Sequence, residues 1–463
     1  MDLRRMEDEL RKRLPRDVIF VLTPSTLDVQ LHRRLLLLSA VLDDDVFPDF
    51  AFGYFTAIDA QGLEHLWKRT LTAHEQGLAS RHWSELFVTS GQASMTYADF
   101  IPELAKAAGF EGEGFGIGIR ESDEKCLDYA REALQHVEEA GVLTITGNGD
   151  PQGIWLFDDH RNVDRSKHWP YDADRVGEDP EGELTRLMAC DFARLELARP
   201  IVWSGTCHSA ATHRVWVEGD IVSTFGTTAV TTVHELEPEE SLGLALLRAG
   251  ATALLAPIGA NHGYSVSIET EFALTHGASL GETIKSTWDD VFLQAEGELA
   301  LSFPQPGDPH DRHGEPIMQG GGANRVLIGD PTLRPFHATA HPSETVTIEN
   351  QNAAGFDVVV RRKEGFHPRA WDIYGVDRSR DFRVGARVPL DARLPEDAAD
   401  LRATVQLTDS AGQPVPGAVL RHAEPEAWHG ERILHLQANA PRAQLDRKAI
   451  QARFSVRWVA RAE

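Results

Sequence analysis

Residues 198–210 read ARPIVWSGTCHSA. A proline opens an apolar run, Ile201–Trp203, which breaks at once into Ser204-Gly205-Thr206-Cys207-His208. Such a run, apolar at successive positions and closed by small residues, fits a strand buried on both faces. Two more runs have the same design. Val142–Thr146 (VLTIT) leads into Gly147-Asn148-Gly149, and Thr252–Ile258 (TALLAPI) leads into Gly259-Ala260-Asn261-His262-Gly263. In an open parallel sheet, ligands bind beyond the carboxyl ends of the strands. These three polar, glycine-bearing turns are therefore where chemistry is expected.

Working outward, strand-like and helix-like patterns alternate as far as about residue 336. Asp17–Leu22 and Glu85–Thr89 read as strands, with a short apolar run at Ala51–Phe55. Thr26–Leu42, Gly62–Leu78, Asp123–Ala140 and Ser241–Ala249 read as helices, the last two stopped by Gly141 and Gly250. On the second, Leu63, Leu66, Trp67, Thr70 and Leu71 form the expected apolar side. The alternation predicts an α/β fold with a mostly parallel sheet covered by helices on both faces. Phe303–Gly322 reads as a long loop and Arg325–Ile328 as a last strand. Beyond about residue 340 the pattern changes to short alternating runs around residues 346–348, 357–361, 382–388, 401–407, 433–437 and 454–459. These predict a β-sandwich. The expected organisation is an N-terminal helix with the first strand and helix over 1–45, an α/β domain over 46–336, and a sandwich over 340–463.

A formal net charge of −25 over 463 residues argues against nucleic acid and anionic membrane surfaces as partners. The N-terminus, MDLRRMEDELRKRLPRD, reads as a charged amphipathic helix without the apolar core of a secretory signal. No stretch is apolar enough to span a bilayer, so a cytoplasmic, reduced protein is expected. The three cysteines, Cys126, Cys190 and Cys207, are too sparse for a disulfide framework and have no metal-ligand spacing. No cofactor and no metal are expected.

Cys126 and Cys190 fall in helical patterns and read as packing residues. Cys207 reads in two ways. It is either an inert core thiol, the commoner fate of a free cysteine, or a nucleophile at a strand's carboxyl end. Small neighbours let backbone N–H groups approach a developing oxyanion, and a nearby histidine activates a thiol. Acidic Glu218 and Asp220 beyond the turn are either a solvated loop or a preference for a basic substrate residue.

The order of these segments resembles the gingipain-type cysteine peptidases and, more loosely, the caspase-like clan. FPDFAFGYFTAIDAQGLEHLWKRTLTAHE (47–75) is similar to the family's opening segment, and ARPIVWSGTCHSA to its strand and cysteine turn. ESLGLALLRAGATALLAPIG (240–259) is similar to the family's segment beyond the cysteine, and VLIGDPTLRPF (326–336) to its closing motif. The resemblance implies a caspase-like domain, an Ig-like domain after it, Cys207 as nucleophile, and a peptide or protein substrate. The oligomeric state is left open. The family's catalytic histidine position falls on Asn148, and its usual arginine and proline fall on Tyr54 and Thr56. An amide cannot take a thiol proton at neutral pH. An active enzyme then needs an imidazole from elsewhere: His208, His160, His213 or His262. His262 is favoured, because its strand is expected beside the Cys207 strand and would bring it to the same sheet edge. Asn148 would then orient the substrate or the imidazole. Two function classes remain: a cysteine peptidase with a relocated base, and a pseudo-peptidase that binds peptides or acts as a scaffold. A different hydrolase or acyltransferase using Cys207 stands further off.

Overall fold

The computed structural model describes residues 3–43, 45, 47–88, 105–106, 108–117, 123–147, 149–155, 186–218, 231–259, 261, 266–294, 322–339, 344–352, 354–363, 381–390, 398–441 and 450–460. The chain opens with α1 (Leu3–Arg13), β1 (Asp17–Val21), α2 (Val29–Ser39), β2 (Ala51–Phe55), α3 (Ala60–Gln76), β3 (His82–Val88) and β4 (Glu111–Ile117). Next are α4 (Asp123–His136), β5 (Val142–Thr146), β6 (Gly149–Asp150), β7 (Gly153–Trp155), β8 (Arg186–Met188), α5 (Ala189–Phe192) and β9 (Ile201–Ser204). Then come β10 (Arg214–Glu218), β11 (Thr231–Glu235), α6 (Leu242–Ala249), β12 (Ala253–Pro257), α7 (Val266–His276), α8 (Leu280–Gln294) and β13 (Arg325–Ile328). Side-chain caps start several helices: Asp28 accepts from Leu31 N at 2.8 Å, Asp59 from Gly62 N at 2.7 Å and Ser241 from Leu244 N at 3.2 Å.

The main sheet has eight strands in the order β1-β2-β13-β12-β9-β5-β3-β4. The runs ending at Thr146, Ser204 and Ile258 lie side by side and parallel, as their two-sided apolar character predicts. β4, β3, β5, β9 and β12 all run one way. β13 is antiparallel to β12 and parallel to β2, which is parallel to β1. Every residue of β2, β9, β12 and β13 is buried, so both faces of the middle of the sheet are covered. Phe336, from the closing motif, stacks on Trp83 of β3 at 5.9 Å and on Trp203 of β9 at 5.8 Å. The same stretch of sheet carries Glu85, buried on β3 in register with Thr144, which is in register with Trp203. Glu85 Oε2 has no hydrogen-bond partner among the described residues, and burial pushes its carboxyl up to about 8.

The expected apolar side of α3 is rotated. Leu66, Thr70 and Ala73 face the core, while Trp67 and Leu71 stay 48% and 44% exposed. Trp67 instead lies edge-on to Phe55 at 5.7 Å. The edge strand β4 was not expected, because glycines at Gly112, Gly114 and Gly116 erase its apolar pattern. The long loop expected over 303–322 lies outside the described residues, apart from its last residue.

The C-terminal unit comprises β14 (Glu344–Asn352), β15 (Gly355–Arg362), β16 (Asp381–Pro389), β17 (Ala398–Asp409), β18 (Val419–Trp428), β19 (Glu431–Pro441) and β20 (Ile450–Ala460). It forms two antiparallel sheets, β14-β15-β20-β17 and β16-β19-β18. Alternate residues of both sheets, among them Phe356, Val384, Leu407, Leu436 and Phe454, bury one shared core. β18 escapes the sequence pattern, since only its end residues alternate clearly between buried and exposed. The unit is firmly docked on the first. Ala427 N donates to Asp45 at 3.0 Å, His429 Nε2 donates to the Asp49 carbonyl at 3.2 Å, and the Arg16 guanidinium lies 4.3 Å over the Trp428 ring.

Candidate active site

The Cys207 turn is built by hydrogen bonds to the two neighbouring strands, β5 and β12, and the turn after β12. Gly205 N donates to Ile145 O of β5 at 2.8 Å, His208 N to Gly259 O at 2.8 Å, and Ala210 N to Pro257 O at 2.9 Å. Ser209 Oγ, itself buried, donates to Thr206 O at 2.7 Å and lies 2.8 Å from Ser204 Oγ. The path through the turn forces His208 to a φ of 56°, in the left-handed region that histidine visits more readily than bulkier or branched residues. The His208 side chain is buried. Gly149, just past β5, packs so closely that a Cβ there would sit 2.3 Å from Thr206 Cγ2 and 2.5 Å from the Gly153 carbonyl.

Cys207 is half-buried, open enough for a reagent to reach it. Its sulfur accepts the backbone N–H of Asn261 at 3.3 Å, and the Asn261 side-chain amide donates to Gly205 O at 2.8 Å. One residue from the turn after β12 thus braces the cysteine turn twice. An N–H directed at sulfur favours the thiolate over the thiol, because charge strengthens the bond. Cys190 was expected to pack inside; it is exposed instead, on the short α5.

A buried ion pair fixes the strand ends behind the turn. Arg325, first residue of β13, donates from Nε to Glu269 Oε1 at 3.0 Å and from Nη2 to Glu269 Oε2 at 2.5 Å. Both side chains are fully buried. The same guanidinium reaches the carbonyls of Ser204 and, at 3.2 Å, Leu255, so it clamps the last carbonyl of β9 and the middle one of β12. Glu269 lies on α7, the helix after the Asn261 turn, and also accepts from Thr287 Oγ1 at 3.2 Å. On the other flank, Ile258 N donates to Asn324 O at 2.8 Å, and Arg33 Nη2 donates to Asn324 Oδ1 at 3.1 Å. His32 Nε2 donates to Ala323 O at 3.0 Å, so its Nδ1 accepts the Tyr54 hydroxyl at 2.9 Å. Burial brings His32 down to about 3 and holds it neutral. Tyr54 is therefore a structural partner of His32.

Of the residues expected at the site, the structure brings Cys207 and His208 into one turn. Asn148, His160 and His262 lie outside the described residues, as does Asp220. His213 is placed by a 3.0 Å contact of its Nδ1 with the Leu236 carbonyl, just beyond β11. Glu218 ends β10. Asn261, Glu269 and Arg325 were not anticipated. Asn261 stands in a turn already singled out, and a basic residue opening the apolar strand RVLI was the available signal for a buried ion pair.

No protein-family model and no curated protein matches the chain. Among solved structures, a chain of the separase–securin complex of Saccharomyces cerevisiae is similar at 10% identity and a TM-score of 0.30. The match takes in 62% of this chain and 15% of that one. So loose a likeness carries no argument about chemistry. Among the described residues, no helix is long and apolar enough to cross a membrane.

Proposed function

We propose that this chain is a cysteine peptidase of the caspase-like, gingipain-type kind, with Cys207 as nucleophile and an Ig-like C-terminal unit. The observation that carries the reading is Cys207 itself. It is half-buried at the carboxyl end of a central parallel strand, with the Asn261 N–H on its sulfur. In this scheme an imidazole takes the thiol proton, and the thiolate attacks the carbonyl carbon of a peptide bond. The leaving amine takes the proton from the imidazolium, and a thioester remains on Cys207. Water then attacks the thioester, releases the carboxylate product and restores the thiol. His262 is the first choice for the imidazole and His208 the second, with Asn148 as an orienting amide. The substrates are peptides or proteins, and a reducing compartment such as the cytoplasm suits a free thiol nucleophile.

The test is hydrolysis of a fluorogenic peptide library and a denatured protein by the full chain. Turnover that disappears in Cys207→Ala and drops in His262→Ala supports the proposal. Turnover unchanged in Cys207→Ala refutes it. A second reading, a pseudo-peptidase that binds peptides without cutting them, is favoured by Asn148 at the family's histidine position. It predicts peptide binding with no turnover in any variant.

A further inference from the structure

The two structural units meet at a buried cluster of charges. Lys285 of α8, fully buried, donates to Asp289 Oδ1 at 2.7 Å and to Glu426 Oε1 of β18. Glu426 Oε2 accepts from Arg387 Nη2 of β16 at 3.1 Å and from His435 Nε2 of β19 at 2.6 Å. Arg387 Nη2 is also 3.5 Å from Asp289 Oδ2, and Phe47 stacks on the His435 ring at 4.5 Å. Asp289, Glu426 and His435 offer ligand atoms within 4.8 Å of one another, a spacing that suits a metal ion. Two cationic side chains already balance the two carboxylates, so a metal would have to displace Lys285 or Arg387. The cluster works as a latch between α8 and the β16-β19-β18 sheet.

The same turn of α8 also touches the ion pair behind the cysteine turn. Thr287 Oγ1 donates to Glu269, and Trp288 Nε1 donates to the Arg325 carbonyl at 3.1 Å. Glu269 in turn holds Arg325, whose guanidinium donates to the Ser204 and Leu255 carbonyls. From Glu426 to the carbonyl of Ser204, three residues before Cys207, the path consists of buried polar contacts and one helix. We infer that Glu426 is a positioning residue for the Cys207 turn, acting across the boundary between the two units through α8. The inference builds on the reading of Cys207 as a nucleophile. It requires only that the thiol's reactivity depend on the turn, whether or not peptides are cleaved.

The experiment alkylates the full chain with iodoacetamide and follows Cys207 and Cys190 separately by peptide mass spectrometry. Exposed Cys190, on α5, is the internal control. Glu426→Gln keeps the side chain's size and removes the negative charge that Lys285 faces across the boundary. At pH 7 the Cys207 rate, relative to Cys190, should fall about 2- to 30-fold, the span of coupling energies through packed networks. The deficit should shrink at pH 9, where deprotonation no longer depends on the brace. Lys285→Met/Glu426→Met removes both charges, leaves Asp289 and Arg387 to each other, and should restore most of the rate. If Glu426→Gln does not fold, Arg387→Gln at the half-buried rim decides by the same ratio. An unchanged ratio in the folded variant overturns the inference. A shifted ratio without peptide hydrolysis keeps the positioning role and removes only the peptidase reading.

Discussion

Glu85 sets a sharp test of how the central sheet is packed. Its carboxyl is buried on β3 without a partner for Oε2 among the described residues, and burial raises it to about 8 from an ordinary 4.5. In the folded chain it therefore holds a proton that the unfolded chain loses above about pH 4.5. Stability from this group is complete below that value and falls as pH rises to about 8. The gap between 4.5 and about 8, at about 1.4 kcal/mol per pH unit, comes to about 5 kcal/mol at the alkaline end. Glu85→Gln keeps the shape of the protonated acid and cannot ionise. The variant should lie within about 1 kcal/mol of the wild type near pH 5 and exceed it by about 5 kcal/mol at pH 9. The assay is urea unfolding at pH 5, 7 and 9, read on the transition of the α/β unit so that the C-terminal unit does not blur it. Parallel stability profiles for the two proteins would refute the reasoning, because an ionisable group that is solvated or paired gives no such divergence.

Arg325→Met strands a buried Glu269 carboxylate and the carbonyls of Ser204 and Leu255, and should cost about 3–5 kcal/mol by thermal unfolding. Adding Glu269→Leu should recover most of that loss. His32 is held neutral down to about 3, so its contribution is present above an ordinary 6.5 and is lost as pH falls from there through about 3. His32→Gln should flatten the acid limb of the stability profile, measured by unfolding at pH 4 and pH 7. Gly149→Ala drives a Cβ into Thr206 and the Gly153 carbonyl, and should cost about 1–3 kcal/mol while slowing alkylation of Cys207 but not of Cys190.

The parallel arrangement of β5, β9 and β12 was legible because strands buried on both faces leave unbroken apolar runs, and VLTIT, PIVWS and TALLAPI are such runs. The reversal at β13 was not, since a short buried strand looks the same in either direction. β4 hides behind its glycines, and β18 behind a largely exposed surface that leaves little alternation to read. At the site, the position of Cys207 could be read from the turn after β9. The partner of its sulfur could not, because a backbone N–H leaves no mark on residue type. Arg325 and Glu269 are 56 residues apart in sequence, and only the tertiary fold, with α7 beside α8 and β9, brings them together. The exposed position of Cys190 also escaped the pattern, because the helix expected there is only a short one after β8.

The most direct measurement of the central claim is labelling of the full chain with an electrophilic peptide probe, wild type against Cys207→Ala, with sites mapped by mass spectrometry. A nucleophilic Cys207 at the end of β9 predicts one dominant adduct on Cys207, none in the variant, and little on Cys190 despite its exposure. Equal labelling of Cys190 and Cys207, or labelling that survives in Cys207→Ala, would contradict it.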